Sequence, residues 1–153
     1  MPSSTEGDQS QGSNMLYQHT KLIAAPINRV HAVVCDVSRI NEWNPAVTSI
    51  ENYDSAAIAG KQYRAYVRSK FPVTLVYQDT SLSSVRFTIS GLAAQESGAW
   101  ILRKVSKSHT EVTHTFTHRG ALLWLLRHAF SQVPEWRLKR LGEECYTRGL
   151  PKI

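Results

Sequence analysis

The sequence predicts an α+β domain in which a twisted, seven-stranded antiparallel sheet wraps around one long C-terminal helix. Three observations predict this fold. Residues 47–119 alternate between apolar and polar side chains with a period of two, in short runs that are separated by brief loops. In residues 120–149 the apolar positions instead recur at steps of three and four. One further strand and two short helices precede the alternating region.

The first third of the sequence predicts a disordered tail, followed by one strand and two short helices. After Met1 no large apolar residue occurs before Met15, so we expect residues 1–14 to be disordered and residues 15–150 to form one domain. A strand follows over residues 16–24. Pro26 then opens a helix with a stripe of valines at positions 30, 33, 34 and 37. Ser38 caps a second short helix, which ends before Pro45 because the residue preceding a proline resists the helical conformation.

The alternating region predicts six more strands, over residues 47–53, 62–69, 73–80, 85–90, 100–105 and 111–119. The breaks between them are rich in Gly, Pro and Ser, as in residues 54–60, residues 71–72 and residues 91–98. Connections this short leave no room for crossover helices. We therefore expect every strand to be antiparallel to its neighbours.

Residues 120–149 predict the helix that the sheet encloses. Its expected buried stripe consists of Leu122, Leu125, Leu126, Ala129, Val133, Leu138, Leu141 and Cys145. A proline inside a helix removes a backbone hydrogen bond, so we expect a bend at residues 131–134, with Pro134 in the first turn of the second segment. Gly149 and Pro151 mark the end of the helix.

Composition narrows the class of protein. The apolar content of 42% is that of a globular chain, no apolar run approaches the ~18–20 residues of a membrane span, and no secretory signal pattern opens the sequence. We expect a cytoplasmic protein, a monomer or homodimer, in which Cys35 and Cys145 are buried free thiols. Of the 18 basic and 12 acidic residues, only three basic but six acidic ones lie in residues 1–60. The basic excess is dispersed over later strands and helices without any nucleic-acid-binding motif, which disfavours a nucleic-acid partner.

Three local signatures, together with the order of elements, resemble a known superfamily. They are IAAPINRVHAVVCDVSRINEWNP at residues 23–45, a glycine at position 60 before QYR at residues 62–64, and WIL at 100–102 followed by HTEV at 109–112 and residues 138–144. Over residues 16–149 the chain resembles the START-related helix-grip (SRPBCC) superfamily, specifically its polyketide cyclase/dehydrase-like branch. The glycine usual in that branch's last hairpin is absent here, with Ser108 and His109 in its place.

The resemblance implies a fold more directly than an activity. Helix-grip proteins enclose an apolar cavity between the sheet and the long helix, and most bind a lipid, sterol, polyketide or other hydrophobic small molecule there. We therefore expect this chain to bind a hydrophobic small molecule or lipid-like ligand, without a cofactor. Two alternatives are a polyketide cyclase, aromatase or dehydratase, and a module whose basic face docks on a protein, RNA or membrane surface.

The last strand supplies the most specific site prediction. Alternation in VTHTFTH places Val112, His114, Phe116 and His118 on one face, which the apolar pair marks as the inner one. The two histidines are then ~13 Å apart at ~3.3 Å per residue, too far to share a metal, so no metal site is expected. A histidine in a half-apolar cavity can hydrogen-bond a ligand or act as a general base; otherwise it is a wall residue bonded to the backbone.

Tyr63 is the third acid–base candidate, because Arg64 and Arg68 mark the opposite face of its strand as the outer one. Asp79 is the only acid within a strand that we expect to point inward. Residues 54–60 and the bend at Pro134 are expected to form the cavity's entrance. The candidate lining residues, for each of which plain core packing is the alternative interpretation, are Trp43, Tyr63, Phe87, Ile89, Trp100, Leu102, His114, Phe116, Phe130 and Trp136.

Overall fold

A seven-stranded antiparallel sheet and a C-terminal helix dominate the computed structural model, which describes residues 14–44, 47–92 and 94–149. The strands are β1 (Asn14–Ile23), β2 (Val47–Ile50), β3 (Gln62–Val67), β4 (Phe71–Ser81), β5 (Ser84–Gly91), β6 (Ala94–Lys104) and β7 (Thr110–Arg119). The helices are α1 (Ile27–Val34), α2 (Ile40–Trp43), α3 (Ala121–Leu125) and α4 (Val133–Gly149), with 3-10 turns at Val37–Arg39 and Arg127–Phe130. Of the expected disordered tail, residues 1–13 lie outside the described residues and Asn14 opens β1. Pro45 also lies outside them.

The sheet has the strand order β1-β7-β6-β5-β4-β3-β2. Strands β2 to β7 therefore pair with their neighbours in sequence, and only the pairing of β1 with β7 joins distant parts of the chain. All six pairs are antiparallel, which confirms the α+β fold class predicted from the alternating region.

Two strands extend into segments predicted to be loops. β6 begins at Ala94 rather than at Trp100, because residues 94–98 pair on one side with β5 and on the other, from Gln95 onward, with β7. β4 begins at Phe71 and includes Pro72, which borders β3 alone since the pairing with β5 starts only at Thr74. A proline is tolerated there because its missing N–H removes no bond of a second ladder.

The C-terminal helix is shorter than predicted. Pro134 lies in the first turn of α4, as expected, but residues 120–132 form the five-residue α3 and a 3-10 turn. No residue of α3 is buried, and Leu122, Leu125 and Leu126 are 55%, 67% and 40% exposed. The predicted buried stripe is therefore wrong in this segment. A 3.6-residue period cannot direct one face inward once the chain leaves the helix after about one turn.

The core fills the space between the sheet, α1 and α4. Leu138, Leu141 and Cys145 of α4 are fully buried, as predicted, and pack in one cluster with valines of α1. Trp43 meets Trp100 edge to face, with ring centroids 5.2 Å apart. Both cysteines are free and buried. Burial raises the pKa of the Cys35 thiol to about 11 and that of Cys145 to about 12, so neither is a thiolate nucleophile at neutral pH.

Candidate functional site

Four polar side chains meet inside the molecule: Glu96 from β6, His114 and His118 from β7, and Arg137 from α4. All four are buried. His118 donates from Nε2 to Glu96 Oε1 at 2.8 Å, while Arg137 donates from Nη1 to Oε2 at 2.8 Å and from Nη2 to Oε1 at 3.2 Å. We call these residues the polar cluster. Its centre is the Glu96 carboxylate, which accepts three hydrogen bonds.

Strand register brings the cluster together. Antiparallel pairing sets Glu96 opposite His118 and Trp100 opposite His114, with Gly98 opposite Phe116 between them. A Cβ atom at position 98 would lie 2.7 Å from Phe87 Cζ and 2.9 Å from Phe116 Cβ. Glycine at this position therefore leaves room for the side chains of Phe87 and Phe116 to pack against the backbone of β6.

The pairing of charges explains why this carboxylate can be buried. Burial alone would raise the pKa of Glu96, but the Arg137 guanidinium and the hydrogen bonds from His118 and Arg137 lower it to about 2. The guanidinium carbon also lies 4.7 Å from the centroid of the Phe116 ring, in cation–π geometry. Glu96 is thus ionised at neutral pH, and its carboxylate is held by His118 of β7 and by Arg137 of α4.

His114 has both ring nitrogens engaged. Its Nδ1 lies 3.1 Å from the Ala99 carbonyl oxygen, and its Nε2 lies 3.2 Å from Arg137 Nη1. Because the guanidinium can only donate, Nε2 accepts and Nδ1–H donates, which defines the neutral tautomer. Burial and then repulsion from Arg137 lower the pKa of His114 to about 3. The ring also stacks on Trp100, with centroids 3.6 Å apart.

His118 differs because one of its nitrogens is unused. Nε2 donates to Glu96, whereas the buried Nδ1 has no hydrogen-bond partner among the described residues, and neither has Nε of Arg137. Aromatic rings surround the imidazole: the centroid of Phe130 lies at 4.6 Å and that of Tyr17 at 5.2 Å. The Tyr17 hydroxyl donates to the Arg127 carbonyl at 3.0 Å, which ties β1 to the 3-10 turn above the site.

The structure places most predicted lining residues inward. The inner face predicted for β7 is confirmed, since Val112, His114, Phe116 and His118 are all buried. Trp43, Phe87, Trp100 and Leu102 are buried as well, while Ile89 and Phe130 are half-buried. Trp136 is 55% exposed, because it lies off the α4 stripe of positions 134, 137, 138, 141 and 145 that faces the interior.

Tyr63 lies apart from the two histidines. Its ring is buried, but its hydroxyl donates to Asp54 at 2.6 Å and accepts from the Ile58 N–H at 3.0 Å. Strand β3 is four places from β7 in the sheet. Burial and the bond to Asp54 raise the pKa of Tyr63. The phenol therefore anchors the loop of residues 54–60, which was predicted to form part of an entrance, and does not join the polar cluster.

Two residues of the cluster, Glu96 and Arg137, are not among the site residues predicted from the sequence. Glu96 was assigned to a loop, and Asp79 was wrongly expected to be the inward acid; Asp79 instead hydrogen-bonds Ser81 at the end of β4. A signal for both residues exists in the chain. Glu96 lies an even number of positions before Trp100 and Leu102, so on one continuous strand all three side chains share a face. Arg137 lies on the buried stripe of α4, four positions before Leu141.

Two surface hollows lie away from the cluster. A groove of about 580 Å³ between β1 and α4 is bordered by Lys21, Ile23, Lys139 and Tyr146. A hollow of about 280 Å³ lies over the outer face of the sheet around Thr88 and Thr115. Neither is lined by a residue of the polar cluster, and Pro134, predicted to be at an entrance, is buried. Within the described ranges, no three His, Cys, Asp or Glu residues are arranged to hold a metal ion.

Solved structures show what this architecture is similar to. The Zhui aromatase/cyclase from Streptomyces sp. R1128 matches with a TM-score of 0.69 and 15% identity, over 88% of this chain and 95% of that one. A START superfamily protein from Mycobacterium smegmatis matches with a TM-score of 0.65 and 14% identity, over 87% and 98%. The chain has the helix-grip fold.

A third helix-grip match is the di-domain aromatase/cyclase StfQ from the steffimycin biosynthetic pathway. Its TM-score is 0.72 at 10% identity, over 93% of this chain and 54% of StfQ. At such identities the matches establish the fold and leave the activity open. No protein-family model and no curated protein sequence matches the chain. None of the helices in the described part of the chain is long and apolar enough to cross a bilayer.

Proposed function

We propose that this protein binds a hydrophobic small molecule bearing a hydroxyl or carbonyl group, in the interior between the sheet and α4. The polar group of the ligand bonds to the polar cluster, and its apolar body lies against the surrounding rings. The observation that carries the proposal is the His118 imidazole, buried among aromatic rings with Nδ1 unpartnered among the described residues.

The energetics favour a ligand at this nitrogen. A buried polar atom without a hydrogen bond costs about 1–3 kcal/mol, and interiors keep few of them. With Nε2–H donating to Glu96, Nδ1 of neutral His118 presents a lone pair and accepts from a hydroxyl. The Nε–H of Arg137, which also has no partner in the described part of the chain, is a donor that suits a carbonyl oxygen. A phenol, sterol-like alcohol or hydroxylated polyketide provides such groups on an apolar body.

Access to His118 runs through the segment of residues 120–132. Phe130 covers the imidazole edge to face, yet it is only half-buried, and α3 buries no residue of its own. Gly120 has φ of +118°, a value that favours glycine, where the chain leaves β7. Displacement of this weakly anchored segment would expose the imidazole without disturbing α4.

The second candidate function is acid–base catalysis on such a ligand. His118 favours it, because a carboxylate bonded to Nε2–H orients the imidazole and leaves Nδ1 to take a proton. In this scheme His118 is the catalytic residue, and His114 positions Arg137 through the 3.2 Å contact. Tyr63, the remaining candidate, would serve only if its loop released the hydroxyl. Loss of turnover with retained affinity in His118→Asn would distinguish catalysis from binding.

The binding proposal is tested with a probe pair that differs in one hydroxyl. 1-Naphthol and naphthalene are titrated into 15N-histidine-labelled protein, and the His118 nitrogen resonances and the affinity are followed. We expect 1-naphthol to shift the Nδ1 resonance and to bind more tightly than naphthalene. His118→Phe should reduce 1-naphthol affinity about tenfold, since one buried hydrogen bond is lost, and should leave naphthalene affinity nearly unchanged.

His19→Phe is the matched control, because His19 is exposed on β1 and pairs in register with His114. It should bind both probes as the unmodified protein does. The proposal fails if neither probe perturbs His118, or if His118→Phe and His19→Phe behave alike. If the proposal holds, native mass spectrometry of protein purified from its own host would identify the natural ligand.

A further inference from the structure

The segment that covers the polar cluster presents an unusual surface. Leu122, Trp124, Leu125 and Leu126 are between 38% and 67% exposed within five consecutive positions. We call these four side chains the α3 patch. Single exposed leucines are common on proteins, but a contiguous group including a tryptophan marks a surface that contacts something apolar.

The segment of the chain that carries the α3 patch has charges of one sign. No Asp or Glu occurs between residues 112 and 134, a stretch that contains Arg119 and Arg127. The guanidinium carbon of Arg127 lies 3.8 Å from the centroid of the Trp124 ring, and Arg119 ends β7 beside the patch. The patch is therefore an apolar surface with a cationic rim, in a chain of net charge +6.

Two turns at the same end of the sheet also carry exposed apolar side chains. Gln95 pairs with Arg119, so the β5–β6 turn, where Leu92 is 98% exposed, lies at the α3 end. The β3–β4 turn also points to this end and carries Phe71, 54% exposed, with the Lys70 ammonium 5.5 Å from its ring centroid. The α3 patch and the β3–β4 turn thus present exposed apolar side chains beside basic ones, and the β5–β6 turn adds an exposed leucine.

We propose that this end of the molecule docks on an anionic lipid surface. Leucine and aromatic side chains enter the boundary between headgroups and acyl chains, and the arginine and lysine side chains contact lipid phosphates, as in interfacial protein segments. A second copy of the chain fits less well, since a two-fold interface would place the same cations against each other. Neither the patch nor its charges depend on a ligand at His118, so docking stands apart from the binding proposed above.

Docking would also place the covering segment at the membrane. The Arg127 carbonyl is bonded to the Tyr17 hydroxyl, and Phe130, three residues later, contacts His118. Insertion of the α3 patch into the bilayer would strain the Arg127–Tyr17 bond and the Phe130–His118 contact. The covering segment would then face the lipid phase, in which hydrophobic molecules dissolve.

The experiment uses the full chain with sedimented vesicles of phosphatidylcholine, with and without phosphatidylserine. We expect binding to the anionic vesicles that weakens as salt is raised, and little binding to the neutral ones. Leu125→Asp should lower the partition coefficient about tenfold or more, because it removes an apolar side chain that would insert into the bilayer and adds a charge that anionic lipids repel. In a Trp136→Phe background, Trp124 is the exposed tryptophan that remains, and its fluorescence should shift to the blue on binding.

Leu82→Asp is the control variant, since Leu82 is 45% exposed in the β4–β5 turn at the opposite end of the sheet and the charge change is identical. Its binding should remain close to that of the unmodified protein. Equal losses in the two variants, or no binding to anionic vesicles, would overturn the proposal. So would a dimer or a complex with an acidic protein that Leu125→Asp abolishes while vesicles are not bound.

Discussion

The interior has two ends that share the same elements and differ in chemistry. At one end, which we call the packed end, Val30, Leu102, Val112 and Leu141 are at most 3% exposed and belong to one cluster of buried apolar side chains. At the other end the same β6, β7 and α4 carry the polar cluster. Apolar burial stabilises a fold whatever the exact partner, whereas a buried charge does so only with its specific partner. The packed end is thus a core, and the polar end has the features of a site.

The largest effect should come from breaking the charge pair. Arg137→Ala leaves the Glu96 carboxylate buried with only His118 as partner, so we expect the free energy of unfolding to fall by about 3–5 kcal/mol. The double variant Arg137→Met with Glu96→Leu removes both charges and should recover most of that loss. Urea denaturation measures both. A single variant that loses less than about 1 kcal/mol would mean that the pair is solvated and that the two ends do not differ as described.

A cavity at the packed end should cost somewhat less and act only on stability. Leu141→Ala removes a fully buried side chain among apolar neighbours, and we expect a loss of about 2–4 kcal/mol in the same denaturation experiment. The affinity ratio between 1-naphthol and naphthalene should not change. An altered ratio in Leu141→Ala would show that the packed end also takes part in binding.

The smallest expected effect is a dependence of stability on pH that arises at the polar end. The pKa of His114 is lowered from its usual value near 6.5 to about 3, so the unfolded chain takes up the proton first as pH falls. Stability present above pH 6.5 is therefore lost progressively toward pH 3. Between pH 7 and pH 5 the loss should be about 2 kcal/mol. Glu96, with a pKa of about 2, adds to the loss below about pH 4.5.

His114→Gln is the variant that isolates this contribution, since glutamine can donate and accept but does not titrate. Denaturation midpoints at several pH values should show a flatter profile for His114→Gln than for the unmodified protein. Both proteins retain the other titratable and charged groups near the ring, namely His118, Glu96, Arg137 and exposed His19 on β1. The difference between the two profiles therefore reports on His114. Parallel profiles would show that His114 is already protonated or accessible in the folded state.

Much of this architecture could be predicted because it follows from local patterns. Alternation on β7 predicted that His114 and His118 point inward, and Pro134 predicted where the second helical segment starts. The orientation of Leu122, Leu125 and Leu126 could not be predicted in the same way. Their spacing suits the buried face of a helix, but residues at this spacing share one face only if the helix continues through all of them. Here the helix ends after five residues.

The order of elements, the antiparallel sheet and the inner face of most strands follow from local patterns, because periods of two and of three to four are properties of neighbouring residues. The buried contact between Glu96 and Arg137, 41 positions apart, arises only when the sheet and α4 pack together. Glycine at position 98 leaves room for the neighbouring phenylalanine side chains. Pairing with β5 and β7 makes residues 94–98 part of a strand, although glycines at positions 91 and 98 predict a loop. Helix α4 then brings the Arg137 guanidinium to the Glu96 carboxylate. Each charge alone would favour water, so its burial depends on a partner that the sequence does not place beside it.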